Sequence, residues 1–140
     1  MASQYAPRPQ GLAGNDDLGQ MSAWYVFTAL GFYPVTPASN EYILGRPFVS
    51  RATLQLPQGK SFTVLARGLE AAHPYVASVT LNGKPLTRVF LRHQEILAGG
   101  ELVFTMSALT SSSARLNSPS AWDRSFAPSA IASVRRRLLR

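Results

Sequence analysis

The reading of this chain turns on Gly11–Pro34, GLAGNDDLGQMSAWYVFTALGFYP. Gly11, Gly14 and Gly19 surround Asp16 and Asp17, the only adjacent carboxylates of the sequence, and the almost wholly apolar run Met21–Leu30 follows. Two chemistries suit acids placed there. An Asp at a helix start accepts hydrogen bonds from the unpaired N–H groups of the first turn. A carboxylate held in a glycine-flanked loop at that same helix end is stabilised as an anion and is available as a catalytic base. The residues alone leave both open. The expected helix is Asp17–Leu30, with Gln20 three residues on in the manner of a capping box, Gly31 as the C′ residue and Pro34 preventing continuation. Met21, Ala23, Trp24, Tyr25, Val26, Phe27, Ala29 and Leu30 make it apolar nearly all round. Such a helix is expected to be buried on several sides, against partners that a short chain does not itself supply.

Beyond Pro37 the period changes to two. EYILG is a short strand, and ATLQL and SFTVLA form a hairpin around the turn PQGK. VASVTL and PLTRVFL flank Asn82-Gly83, a strong hairpin signal. HQEILAGG reads as one helical turn ended by glycines, and ELVFTM as a last strand with Leu102, Phe104 and Met106 on one face. Before Gly11 the chain reads as loop. After Met106 no period remains. The Ser-, Ala- and Pro-rich stretch from Ala108 is expected to be disordered, and IASVRRRLLR is a marginal basic helix.

The net charge of +7 and pI near 10.6 suggest a nucleic-acid partner until their distribution is considered. From Ala114 onward six arginines face one acid, whereas the first 113 residues carry eight cations and six carboxylates. The periodic part is nearly balanced, and the tail lacks the interleaved aromatics of a single-strand binder. No run of about 18 apolar residues suggests a membrane span. There is no cysteine, so neither a disulfide frame nor a thiolate metal site is possible. His73 and His93 are isolated, with surface or capping roles expected. MASQYAPRPQ carries no basic-then-apolar export pattern.

GNDDLGQMSAWYVFTALGFYPV resembles the signature of glycoside hydrolase family 92, the calcium-dependent, inverting, exo-acting α-mannosidases. The likeness runs almost unbroken from Gly11 to Pro37. It continues more loosely through YILGRPFVSRATLQLPQGKSFTVLA and YVASVTLNGKPLTRVFLRHQEILAGGELVFTM. Ala13 departs from it, since the family typically has Pro there. The resemblance implies an α+β, C-terminal part of a much longer enzyme. In such an enzyme an N-terminal β-sandwich packs on an (α/α)6 catalytic barrel. Residues 1–37 are then the end of the barrel domain, a loop plus a late helix. Residues 38–107 are a C-terminal antiparallel, sandwich-like β module, and residues 108–140 a disordered basic tail. The tail leaves the family pattern, and its composition matches that of a shifted reading frame of GC-rich DNA.

The resemblance further implies hydrolysis of terminal α-mannosyl linkages on N-glycans or mannans, by a periplasmic or secreted enzyme. Asp16 or Asp17 would activate water, Asn15 would touch sugar or shape the turn, and calcium would distort the mannose ring. The general acid, a glutamate, and the principal calcium ligands belong upstream, so no metal ligand is assigned here. Glu41, Glu70, Glu95 and Glu101 lie in strand or turn contexts and do not replace them. The expected partners are α-mannoside glycans and the N-terminal remainder of the enzyme, not nucleic acid or membrane. The chain alone is expected to be inactive. The rival reading is a non-catalytic carbohydrate-binding or structural β module.

Overall fold

The computed structural model describes residues 5–36 and 38–108; the expected disordered tail, apart from Ala108, lies outside these. Helix α1 spans Gln20–Leu30 and runs into a two-residue strand β1, Phe32–Tyr33. The turn between them is made by Gly31 at φ 86°, whose N–H reaches the carbonyls of Phe27 and Thr28. A Cβ there would lie 3.0 Å from the Pro47 nitrogen and 3.1 Å from its Cβ and Cδ. Both the left-handed backbone and the close approach therefore require glycine. Two further bonds fasten this helix end to the loop Gly45–Phe48. The Gly45 N–H donates to the Gly31 carbonyl at 2.8 Å, and the Phe48 N–H to Ala29 at 2.9 Å.

The remaining elements are β2 (Glu41–Leu44), β3 (Arg51–Gln55), a 3₁₀ turn (Pro57–Gly59), β4 (Ser61–Arg67), β5 (Tyr75–Leu81), β6 (Lys84–Pro85), β7 (Phe90–Arg92), α2 (His93–Leu97) and β8 (Gly100–Ser107). They build a three-stranded sheet in the order β1-β2-β7 and a five-stranded sheet in the order β3-β4-β8-β5-β6. The β3–β4 hairpin forms as its alternation predicts, with Phe62, Val64 and Ala66 of β4 all facing the core. Asn82 (φ 50°) and Gly83 (φ 75°) turn β5 into β6, the left-handed pair that a two-residue hairpin needs. Asn82 also does something outside the turn. Its Oδ1 accepts the Glu101 N–H and its own N–H donates to the Glu101 carbonyl, both at 2.8 Å.

The structure corrects the expected β module in two places. The five-stranded sheet is mixed, because β4 and β8 run parallel from Phe62↔Gly100 to Arg67↔Thr105. PLTRVFL is not one strand either. Lys84–Pro85 closes the hairpin in one sheet, whereas Phe90–Arg92 crosses to pair with β2 in the other. Proline at position 85 limits further pairing there.

One core joins the two sheets and the end of α1. Leu30, Phe32, Leu91, Phe62, Val64, Leu102, Phe104 and Ile96 belong to it, with Phe62, Leu91, Leu102 and Phe104 fully shielded from solvent. Leu102, Phe104 and Met106 are buried as their alternation predicts, but Val103 on the opposite face is buried as well. Strand β8 is central, held between β4 and β5. An aromatic cluster extends the core to α1. Phe27 lies 6.0 Å from Phe32 and 5.7 Å from Tyr42, and Phe32 meets Tyr42 edge-on at 5.6 Å.

Candidate active site

The GNDD corner is positioned by a fold-back of residues 5–14 onto α1. Tyr5 bridges to Leu12, and the Ala6 N–H donates to the Gly11 carbonyl at 2.8 Å. Gly11 is packed so closely that a Cβ would sit 1.8 Å from the Ala6 oxygen, so no other residue closes this loop. The Tyr5 ring stacks on Trp24 at 5.9 Å and tilts against Tyr25 at 4.7 Å. This aromatic contact sets the loop against the first turns of the helix. The all-round apolar pattern of the helix predicts core positions for Trp24 and Tyr25. Here Trp24 is half-buried and Tyr25 is exposed, both engaged by Tyr5.

The helix starts later than Asp17. Asp17 (φ 49°), Leu18 (φ 61°) and Gly19 (φ 89°) are three successive left-handed residues, and α1 begins at Gln20. No Asp17–Gln20 capping box forms. Gly19 is the N-cap residue and offers no side chain. The cap comes from further back instead. Asp16 Oδ1 accepts the Ser22 N–H at 2.8 Å and the Ser22 hydroxyl at 2.9 Å, while its carbonyl accepts the Met21 N–H at 3.1 Å. The left-handed run turns the chain so that Asp16, six residues before Ser22, reaches the orphan donors that an N-cap side chain ordinarily takes. Ser22 is the functional partner that sequence reasoning missed, because a spacing of six is not a capping spacing.

The two carboxylates are thus unlike. Asp16 is half-buried with one oxygen committed to two donors. Asp17 is exposed, and no hydrogen bond to its side chain is found among the described residues. Asn15 is likewise exposed. Left-handed non-glycine residues in succession cost free energy, and here they hold an ionisable side chain out of the helix that it precedes. Leu18 beside it is fully exposed.

The other titratable candidates lie elsewhere. The Tyr42 hydroxyl and His93 Nδ1 are 2.9 Å apart, and His73 Nδ1 lies 3.0 Å from the Gly68 carbonyl oxygen. Glu95 is bound by the Arg88 guanidinium and accepts the Arg92 N–H at 2.9 Å. Burial pushes its pKa up, but the Arg92 N–H, the Arg88 hydrogen bond and the charges of Arg88 and Arg92 together outweigh burial. Its carboxyl is held below the usual glutamate value. Among the described residues no three Asp, Glu or His side chains come together. A calcium ion takes about six to eight oxygen ligands, so the residues present do not fit a calcium site by themselves.

The sequence profile of the Glycosyl hydrolase family 92 catalytic domain matches residues 1–108. An inverting family 92 mannosidase of Bacteroides thetaiotaomicron, BT2199, superposes with a TM-score of 0.68 at 44% identity, covering 77% of this chain and 15% of its own. The α-mannosidase BT3965 of the same organism, solved in complex with mannoimidazole, gives 0.71 at 39%, covering 77% and 14%. A protein of Arthroderma benhamiae described as an uncharacterized secreted glycosidase is 34% identical over 113 residues, 79% of this chain and 14% of that protein. The chain therefore spans a small part of the length of these relatives. The family match spans residues 1–108, the GNDD corner and β8 included, and on that ground the chain belongs to glycoside hydrolase family 92.

Proposed function

We propose that this chain carries the water-activating corner of a secreted family 92 α-mannosidase, with Asp17 as the general base. The observation that carries the assignment is the asymmetry of the pair. Asp16 Oδ1 is occupied by both donors of Ser22, whereas Asp17 is exposed on a left-handed backbone just before the helix. A base has to be ionised, unencumbered and aimed. Asp17 is unencumbered, since no hydrogen bond to its side chain is found among the described residues, and the Asp16–Ser22 tie holds the loop that aims it. Both neighbouring mannosidase structures, one bound to mannoimidazole, support a mannoside as substrate.

In an inverting reaction the Asp17 carboxylate takes a proton from water as the water oxygen attacks the anomeric carbon. The bond from that carbon to the leaving oxygen breaks, and a general acid protonates the leaving oxygen. The configuration at the anomeric carbon is reversed. The two carboxyl groups of such a pair stand about 6.5–9.5 Å apart, leaving room for the water. On this reading the acid, a glutamate, and the calcium ligands are expected upstream of the GNDD motif, as the resemblance implies. No step here is routed through the metal.

The test uses a full-length family 92 chain that carries this segment. Asp17→Asn is expected to lower kcat by about 100-fold or more with the fold intact. Asp16→Asn keeps an oxygen toward Ser22 and is expected to retain most of the rate. Equal turnover of the Asp17→Asn and parent enzymes sinks the assignment, and a larger loss from Asp16→Asn reverses it. The isolated 140-residue chain is expected to release no mannose from α-mannosides.

A further inference from the structure

Asn82 carries a tie that its own hairpin does not need. Strand β5 lies between β8 and β6 in the five-stranded sheet. The turn Asn82-Gly83 takes the chain across to β6 and closes on the pair Leu81↔Lys84. The Asn82 side chain goes the other way, to β8. Its Oδ1 accepts the Glu101 N–H, and its backbone N–H donates to the Glu101 carbonyl, both at 2.8 Å. The carboxamide lies directly on Gly100, the first residue of β8. A Cβ there would overlap Oδ1 and stand 2.7 Å from Cγ and 2.8 Å from Nδ2. Gly100, at φ 119°, therefore leaves room for this one side chain on a backbone that glycine adopts freely.

An asparagine followed by glycine has a reaction of its own, and of the four asparagines in the sequence Asn82 alone precedes glycine. Once the Gly83 amide loses its proton to a base in the solvent, its nitrogen can attack Asn82 Cγ. A bond forms between that nitrogen and Cγ, and the bond from Cγ to Nδ2 breaks. Ammonia leaves, taking a proton from water, and a succinimide ring remains. Water then adds to one of the two ring carbonyls and opens the ring. One opening gives aspartate at position 82. The other gives isoaspartate, which puts an extra carbon into the main chain. Glycine presents no side chain to hinder the closure. Asn82 and Gly83 are both exposed, so water and base reach them.

The geometry decides when this reaction runs. The carboxamide is held toward β8, whereas Gly83 leads the chain toward β6 on the opposite side of β5. Ring closure brings Cγ and the Gly83 nitrogen together, so Oδ1 has to leave the Glu101 N–H and the carboxamide has to lift from Gly100. We propose that Asn82 is a deamidation site locked by Glu101 and Gly100. It is inert while the turn is tied to β8 and reactive when the tie opens. The isoaspartate product then records each opening that reacts. Its longer main chain does not fit a two-residue turn built on the left-handed pair Asn82 (φ 50°) and Gly83 (φ 75°), and the tie to Glu101 does not re-form.

The test incubates the 140-residue chain at mildly alkaline pH and follows the Asn82 peptide by mass spectrometry, with its asparagine, aspartate and isoaspartate forms separated. Denaturing urea at the same pH and temperature is expected to speed the loss of Asn82 by about tenfold or more over the folded chain. At urea concentrations below the unfolding transition, the rate is expected to rise in step with hydrogen exchange of the Glu101 N–H, the proton that Oδ1 accepts. Gly100→Ala puts a Cβ where the carboxamide lies, and is expected to speed deamidation of the folded chain by about tenfold. Should that variant not fold, the comparison with Glu101 exchange on the parent chain still decides. Equal rates in the folded and urea-unfolded chain overturn the proposal. So does a rate that does not follow Glu101 exchange, or a folded Gly100→Ala chain that deamidates no faster than the parent.

Discussion

At the residue scale Asp16 and Asp17 are unlike neighbours, and the proposed function divides capping and catalysis between them. Asp16 starts the helix through Ser22. Replacing it with Ala removes a cap and is expected to lower stability by about 0.5–2 kcal/mol, measured by urea unfolding, while Asp16→Asn should stay close to the parent. Asp17 is the opposite case, since no hydrogen bond to its side chain is found among the described residues and it sits at φ 49°. Asp17→Gly relieves a left-handed aspartate and is expected to leave stability unchanged or raise it by up to about 1 kcal/mol. A clear loss of stability in that variant would mean that the side chain supports the loop. A residue whose removal costs no stability, yet which keeps a strained backbone, is placed for something other than folding. The pairing of acids with a helix start was legible in the sequence. The division of labour was not, because it depends on Leu18, a residue that gives no signal for φ 61°.

The same contrast between local signals and distant contacts governs the elements. Both hairpins, the turn of α2 and the burial of Phe62, Val64, Leu102 and Phe104 follow from period and turn residues read along the chain. The parallel pairing of β4 with β8 does not, because alternation fixes which face a strand buries and is silent about its neighbour. Nor does it show that β7 leaves its hairpin for the other sheet. What holds β7 to α2 is the Glu95 carboxylate between Arg88 and the Arg92 N–H. Its pKa is lowered in the folded state, so the unfolded chain takes up the proton first as pH falls. The stabilisation from this contact is then complete above the ordinary glutamate value, and is lost as pH drops through the lower folded one. Urea midpoints measured from neutral to acid pH should fall more gently in Glu95→Gln than in the parent across that window. Parallel curves would show that the tie adds nothing to stability. At the other end of the core, Gly31→Ala puts a Cβ against Pro47 at a left-handed φ. It is expected to cost more than about 1 kcal/mol, detectable as a lower thermal midpoint.

At the scale of the whole molecule the unpaired side of α1 is what the chain leaves unfinished. The all-round apolar pattern predicted a helix buried on several sides, yet among its described residues Leu30 alone is buried, while Tyr25 and Val26 remain exposed. The pattern was legible and its fulfilment was not, because a chain covering 14–15% of its relatives cannot show what packs outside it. If the remainder of a family 92 catalytic domain covers this face, Val26 becomes a core residue of the assembled enzyme. Val26→Asp then has opposite effects in two settings. In the isolated chain it places a charge on an exposed apolar face, which should raise solubility and reduce binding of a hydrophobic dye. In an enzyme assembled from this chain and a family 92 chain lacking the corresponding segment, it buries an unpaired carboxylate. That substitution should abolish recovery of mannosidase activity. Val26→Leu, apolar and only slightly larger, should preserve recovery. An assembled enzyme that tolerates Val26→Asp would show that the outer face of α1 stays in solvent, and that its apolar residues serve the contact with Tyr5 and the end of the helix instead.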